Sequence, residues 1–149
     1  MRTAQRLGAW VGIAVGLSAV ACQDVRQPVA PIGVYSVGYS TCETIDASGG
    51  SVSAGPYSLT IPANALTQST EICIEQTNSG QWPVELGPSG QQFSVPVTLS
   101  IDASGEEKPG DLSIYWWNPT LNKWVQQTTT HSGNVLSTQI SHFSRFTLG

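Results

Sequence analysis

Charge is scarce in this chain. Asp, Glu, Lys and Arg make up 11% of its 149 residues, six of them basic and ten acidic. Setting Arg2 and Arg6 aside with the leader argued below leaves four bases against ten acids, a formal charge of 4 − 10 = −6. Nucleic acid is thereby excluded as a partner, because phosphate contacts need a basic patch that the chain does not supply. Histidine occurs only twice, widely spaced at His131 and His142, and neither stands at zinc-ligand spacing from a cysteine. There is no Gly-rich phosphate loop, no Gly-x-Ser-x-Gly elbow and no histidine pair at metal spacing, and no two carboxylates are singled out as a glycosidase pair. A turnover enzyme is therefore not expected. Beyond the leader no stretch carries a 3.6-residue apolar stripe, which argues against a helical domain.

What is present begins with the leader. Arg2 and Arg6 precede an apolar run of about 14 residues, Leu7 to Val20, which ends in Ala19-Val20-Ala21-Cys22. A charged start, a short apolar stretch and small residues before a cleavage point make a secretion signal, and a stretch of this length is too short for a comfortable bilayer span. An uncleaved anchor is the alternative. The cysteine at the cleavage point resembles that of bacterial lipoproteins, which implies removal of residues 1–21 and acylation of Cys22. The 149 − 21 = 128 residues left suffice for one compact domain. Residues 22–38 contain Pro, Gly and Val without a sustained period and read as a tether, although Ile32 to Tyr35 would also suit an edge strand. The domain itself is placed at residues 39–149.

With Cys22 assigned to lipid, Cys42 and Cys73 are left as an even pair in an oxidising compartment. One disulfide is the simplest reading, contributing about 3–4 kcal/mol in the chain-entropy model; two free thiols are the alternative. No metal site is expected.

The domain reads as all-β. Phe93, Val95, Val97, Leu99 and Ile101 alternate with Ser94, Pro96, Thr98 and Ser100, which puts five apolar side chains on one face. Tyr57, Leu59 and Ile61 alternate likewise, while Ile72 and Ile74 point inward and Glu71, Cys73 and Glu75 outward. Two copies of Ile-Asp-Ala-Ser-Gly, at Ile45 to Gly49 and Ile101 to Gly105, are turn chemistry rather than a calcium loop, because neither supplies a run of oxygen ligands. Near the C-terminus, a turn at Pro119 to Asn122 sets Trp117 opposite Trp124 and Trp116 opposite Val125. A second turn around His131 to Asn134 sets Val125 opposite Ile140. The result is a three-stranded meander with Leu112, Ile114, Trp116, Val125, Leu136 and Ile140 on one face and Tyr115, Trp117 and Trp124 on the other. That aromatic face is either covered by the tether or exposed as a platform.

Ile61-Pro62-Ala63-Asn64-Ala65-Leu66, Gly87-Pro88-Ser89-Gly90 with Phe93 and Pro96-Val97, Tyr115 to Asn118 with Trp124, and His142-Phe143-Ser144 follow in an order and spacing that resembles the ZU5 domain from about Gly49 to Leu148. The resemblance implies an antiparallel β-sandwich that serves as a protein-interaction module, as in ankyrins, netrin receptors and death-domain adaptors, with no cofactor. The Cys42 and Cys73 pair is a departure from that pattern. Some relatives resemble autoproteolytic domains cut between Phe and Ser of the His-Phe-Ser tripeptide. In a continuous strand His142 and Ser144 would point the same way, so His142 would take the hydroxyl proton while the oxygen attacked the Phe143 carbonyl. The alternative is a half-buried His142 in phase with Ile140, with Ser144 leading into Phe146 and Leu148. The expectation is a membrane-anchored display module in the cell envelope that binds a protein, or a glycan on the aromatic face. Gln23 lacks the Asp that favours inner-membrane retention, which points to the outer membrane where a cell has one.

Overall fold

The computed structural model describes residues 38–76 and 82–149. The leader, Cys22 and the tether up to residue 37 lie outside the described residues, so the readings made on them are not addressed by the fold.

Eleven strands form two antiparallel sheets: β1 (Ser40–Ile45), β2 (Gly50–Ala54), β3 (Tyr57–Ile61), β4 (Thr70–Gln76), β5 (Val84–Gly87), β6 (Gln92–Asp102), β7 (Ile114–Asn118), β8 (Lys123–Gln126), β9 (Thr130–Ser132), β10 (Val135–His142) and β11 (Arg145–Leu148). One sheet runs β1-β4-β5-β11-β7-β8 and the other β2-β3-β6-β10-β9. The domain is all-β, as the alternation predicts, and its two sheets pack as the expected β-sandwich; the only regular helix among the described residues is a 3₁₀ turn at Pro109–Asp111. None of them forms a helix long and apolar enough to cross a membrane.

The core follows the period of two. Tyr57, Leu59 and Ile61 of β3 and Ile72 and Ile74 of β4 are buried, as are Val97, Leu99 and Ile101 of β6. They meet Leu86, Ile114, Leu136, Ile140 and Phe146 from other strands and Phe143 from the crossover between β10 and β11. Both Ile-Asp-Ala-Ser-Gly copies are turns: the Ser48 N–H donates to Asp46 Oδ1 at 2.8 Å and the Ser104 N–H to Asp102 Oδ1 at 2.9 Å. The Ser48 hydroxyl and N–H together hold the Asp46 carboxyl below its usual range.

Two expectations are corrected. Val95 is 37% exposed rather than in the core. Between the pairs Ile140↔Val97 and His142↔Gln92, β10 advances two residues (142 − 140) while β6 covers five (97 − 92). This bulge, which contains Pro96 with no N–H to give to a ladder, breaks the alternation. The three-stranded meander does not form either. Trp116↔Val125 and Trp117↔Trp124 pair as expected, but β10 pairs with β6 and β9 in the other sheet, so Val125 does not face Ile140. The reason lies in Gln126 to Thr130, which has no apolar side chain to bury. The chain uses it to cross between sheets, with the Thr129 hydroxyl oxygen accepting the Ile114 N–H at 2.9 Å in place of a strand carbonyl. Leu136 and Ile140 therefore reach the same core as Ile114 from the opposite sheet.

Tyr57 makes the core sensitive to alkali. Its side chain is fully buried, its ring meets Trp82 edge to face at 6.4 Å, and its hydroxyl oxygen accepts from Gln76 Nε2 at 3.4 Å. Burial pushes its pKa up to about 12 from an ordinary value of about 10, because the phenolate would be formed away from water. The folded chain thus holds this proton more tightly than the unfolded chain. The stabilisation is complete below pH 10 and is lost as pH rises toward 12, by at most about 1.4 kcal/mol per pH unit. Urea unfolding followed between pH 9 and 12 should show this decline, and Tyr57→Phe should flatten it; an unchanged slope in the variant would assign the decline to other groups.

Candidate functional site

The outward face of the six-stranded sheet carries two of the features singled out in the sequence, one toward each edge. Ladder parity explains both positions. At one edge the Gln127 N–H donates to the Ile114 carbonyl at 2.8 Å. In an antiparallel ladder bonded and non-bonded pairs alternate, so Trp117↔Trp124 is a non-hydrogen-bonded pair, the type in which side chains stand closest. The two indoles meet at 5.4 Å between centroids with their planes 68° apart. They form an edge-to-face pair and not a flat platform, so a single sugar ring cannot stack on both.

Trp124 is 37% exposed and Leu121, at the tip of the same hairpin, 56% exposed. Asn118 fixes that tip by accepting the Thr120 and Leu121 N–H groups on Oδ1 at 3.0 and 3.1 Å, and Asn122 takes a left-handed φ of 49°. Tyr115 lies at the next outward position, half-buried, opposite Gln126 and against the C-terminal Gly149. The structure thus joins Trp117 and Trp124 directly, sets Tyr115 beside them, and adds Leu121. Sequence reasoning passed over Leu121 because an apolar residue inside a turn carries no periodicity; its isolation among Pro, Thr, Asn and Lys was the available signal.

At the other edge the Gln76 N–H donates to the Tyr39 carbonyl at 2.8 Å, which by the same parity makes Cys42↔Cys73 non-hydrogen-bonded. These cysteines form a disulfide with Cα atoms 4.1 Å apart across a separation of 31 residues. A structural disulfide belongs to an oxidising, extracytoplasmic environment. Beside it lies an open groove of about 520 Å³ bordered by Glu71, Cys73, Glu75, Glu85 and Gly87. Glu85 faces Arg145 at 3.5 Å, a surface pair worth little in stability. The Cys42 and Cys73 sulfurs and a Glu71 carboxylate oxygen lie within 4.8 Å of one another, with the sulfurs committed to their mutual bond.

His142, Phe143 and Ser144 occupy a third place, one end of the sandwich. β10 ends at His142 and β11 starts at Arg145 in the other sheet, so Phe143 and Ser144 are the crossover and not a continuous strand. The same-side argument for His142 and Ser144 does not apply, and among the described residues no hydrogen bond joins them. Phe143 is buried against Phe93, with centroids 4.7 Å apart. Its N–H donates to the Gln91 carbonyl at 2.9 Å, and its carbonyl accepts the Gly90 N–H at 3.1 Å. The His142 ring meets Trp116 edge to face at 5.0 Å. With Ser89, Asn118 and Ser144 these rings line a depression of about 320 Å³. Phe146 and Leu148 are buried beyond it.

No protein-family model and no curated protein matches the chain.

Because the histidine and the serine are not hydrogen-bonded, the purified protein should show a single intact mass ending at Gly149. A product ending at Phe143, lost on Ser144→Ala, would establish self-cleavage instead.

Proposed function

We propose that this chain is a lipid-anchored protein of the cell envelope whose β-sandwich displays the β7–β8 hairpin to a protein partner. The observation that carries the reading is the pairing of two exposed apolar side chains, Trp124 and Leu121, on a hairpin held rigid by the Trp117–Trp124 contact and the Asn118 turn. Large aromatic and aliphatic anchors on a fixed backbone are what a protein pocket binds, since little side-chain entropy is lost on docking. The perpendicular indoles favour a protein over the flat stacking of a sugar. The ZU5 resemblance points the same way, toward an interaction module without a cofactor.

Anchoring rests on the leader and on Cys22 at its end, and the disulfide agrees with export. Gln23 favours the outer membrane over retention at the inner one. Self-cleavage at Phe143–Ser144 is the second reading, favoured by the Gly90 N–H, which already donates to the carbonyl that would be attacked.

Two experiments test the reading. A photoreactive residue placed at position 124 should capture a discrete protein in intact cells, whereas the same residue at Val95, equally exposed on the other sheet, should not. Equal capture at both positions, or quenching of tryptophan fluorescence by soluble glycans that Trp124→Ala abolishes, would displace the protein reading. Second, the mature protein should begin at an acylated Cys22, and Cys22→Ser should leave an unacylated chain that no longer partitions with membranes; a soluble wild-type product would remove the anchor.

A further inference from the structure

We propose that Cys42, Cys73 and Glu71 form a zinc site gated by the redox state of the cysteine pair: closed while the disulfide stands, and open once a dithiol reductant cleaves it. The proposal is independent of the β7–β8 contact.

Placement comes first. All three residues project from the outward face of β1 and β4. Cys42 stands directly across from Cys73, and Glu71 precedes Cys73 by two positions and so shares its face. Cys42 and Glu71 are exposed and Cys73 is half-buried, so a reductant and an ion can both reach them. The next strand leaves the flank open, because Gly87 lies opposite Cys73 on β5 and has no side chain to fill the space. A Cβ built there would come to 3.7 Å from the Cys73 Cβ. The groove over Gly87 is the entry path, and the Glu75 carboxylate on its border adds negative charge that favours cations.

Geometry comes next. The three ligand atoms lie within 4.8 Å of one another. A tetrahedral zinc ion with Zn–S distances of about 2.3 Å holds two sulfurs about 3.8 Å apart, which fits inside that envelope once the sulfur–sulfur bond is gone. Reduction does not release the strand that carries Cys42. β1 remains paired with β4 from Ser40↔Glu75 to Ile45↔Thr70, and Ile45 is anchored in the core.

The chemistry balances as a two-electron exchange. The reductant's two thiols supply two electrons and two protons; the Cys42–Cys73 bond breaks to two thiols while the reductant closes its own disulfide. Zinc then displaces both thiol protons, forms two Zn–S bonds and one Zn–O bond to Glu71, and keeps a water in the fourth position. Two thiolates and a carboxylate are a donor set of intermediate softness, which suits zinc better than calcium or magnesium. A disulfide oxidant reverses the step: it accepts the two electrons and two protons from solvent, is reduced to two thiols, and the Cys42–Cys73 bond that re-forms ejects the ion.

The test uses the full chain carrying Cys22→Ser in detergent, so that only two thiols are present, with Co²⁺ as the spectroscopic probe. After reduction with a phosphine that does not itself chelate through thiols, one Co²⁺ per chain should bind with sulfur-to-cobalt charge-transfer absorption and tetrahedral visible bands, and Zn²⁺ should displace it. The oxidised protein should show neither. Glu71→Gln, at an exposed site where folding is not at stake, should weaken binding by about tenfold or more, while Glu107→Gln, outside the groove, should not. Absence of the charge-transfer band, equal binding by the oxidised protein, or an unchanged affinity in Glu71→Gln would overturn the proposal. So would loss of the strand signal in circular dichroism on reduction, because the site depends on β1 staying in place.

Discussion

Phe143 is the residue through which the two sheets are tied. It follows β10, which lies inside one sheet, and precedes β11, which lies inside the other. Its ring is buried on Phe93. Its own N–H and carbonyl are both bonded to the loop between β5 and β6, at Gln91 and Gly90, and the next carbonyl, of Ser144, accepts the Leu86 N–H at 3.0 Å. A crossover buried at a sandwich end must satisfy its backbone without a ladder, and here the β5–β6 loop and Leu86 of β5 do so. The same contacts bring together two segments remote in sequence, residues 86–93, where the β5–β6 loop opens β6, and the crossover at 143–144. Once Phe143 is seated, β11 is delivered between β5 and β7, and the order of the six-stranded sheet follows.

Much of this was legible in the residues. Alternation identified the buried faces of β3, β4 and β6, because a side-chain period of two is a local property of extended backbone. The Trp117↔Trp124 register followed from one turn of known length, and the outward placement of Cys73 from its two isoleucine neighbours. The misreadings share one cause: alternation says which face of a strand is apolar but not which strand it pairs with or in what register. Ile140 and Val125 are both compatible with the apolar face of a single meander, and only the polar run Gln126 to Thr130 marks the crossing between sheets. Val95 fell out of the core because five residues of β6 answer two of β10, a count that depends on the partner strand and cannot be read from β6 alone.

The candidate sites were legible to unequal degrees. The aromatic pair could be registered, but the angle between its rings could not, and that angle turns a flat platform into an edge-to-face pair. Glu71 and Glu75 flanked Cys73 visibly, whereas Glu85 and Gly87 joined them only through the β4–β5 pairing. His142-Phe143-Ser144 was conspicuous as a tripeptide, yet its geometry was hidden because the chain changes sheets inside it.

One rule of antiparallel ladders places both outward-facing features. Cys42↔Cys73 and Trp117↔Trp124 each occupy a non-hydrogen-bonded position, where the opposed residues approach most closely. That position brings two cysteines within bonding reach and two indoles into contact. Each pair also staples an edge strand to the one strand it pairs with among the described residues: β1 to β4 by a covalent bond, and β8 to β7 by a ring contact. Edge strands expose unpaired N–H and carbonyl groups and invite further pairing. With charged residues only 11% of the chain, general repulsion between copies is a weak defence. Two of the four edge strands among the described residues are instead kept short, four residues in β8 with Lys123 at its start and three in β9. The exposed Trp124 and Leu121 run against that economy, since they place two large apolar side chains at one of those edges. The contact surface proposed for this hairpin would account for their position.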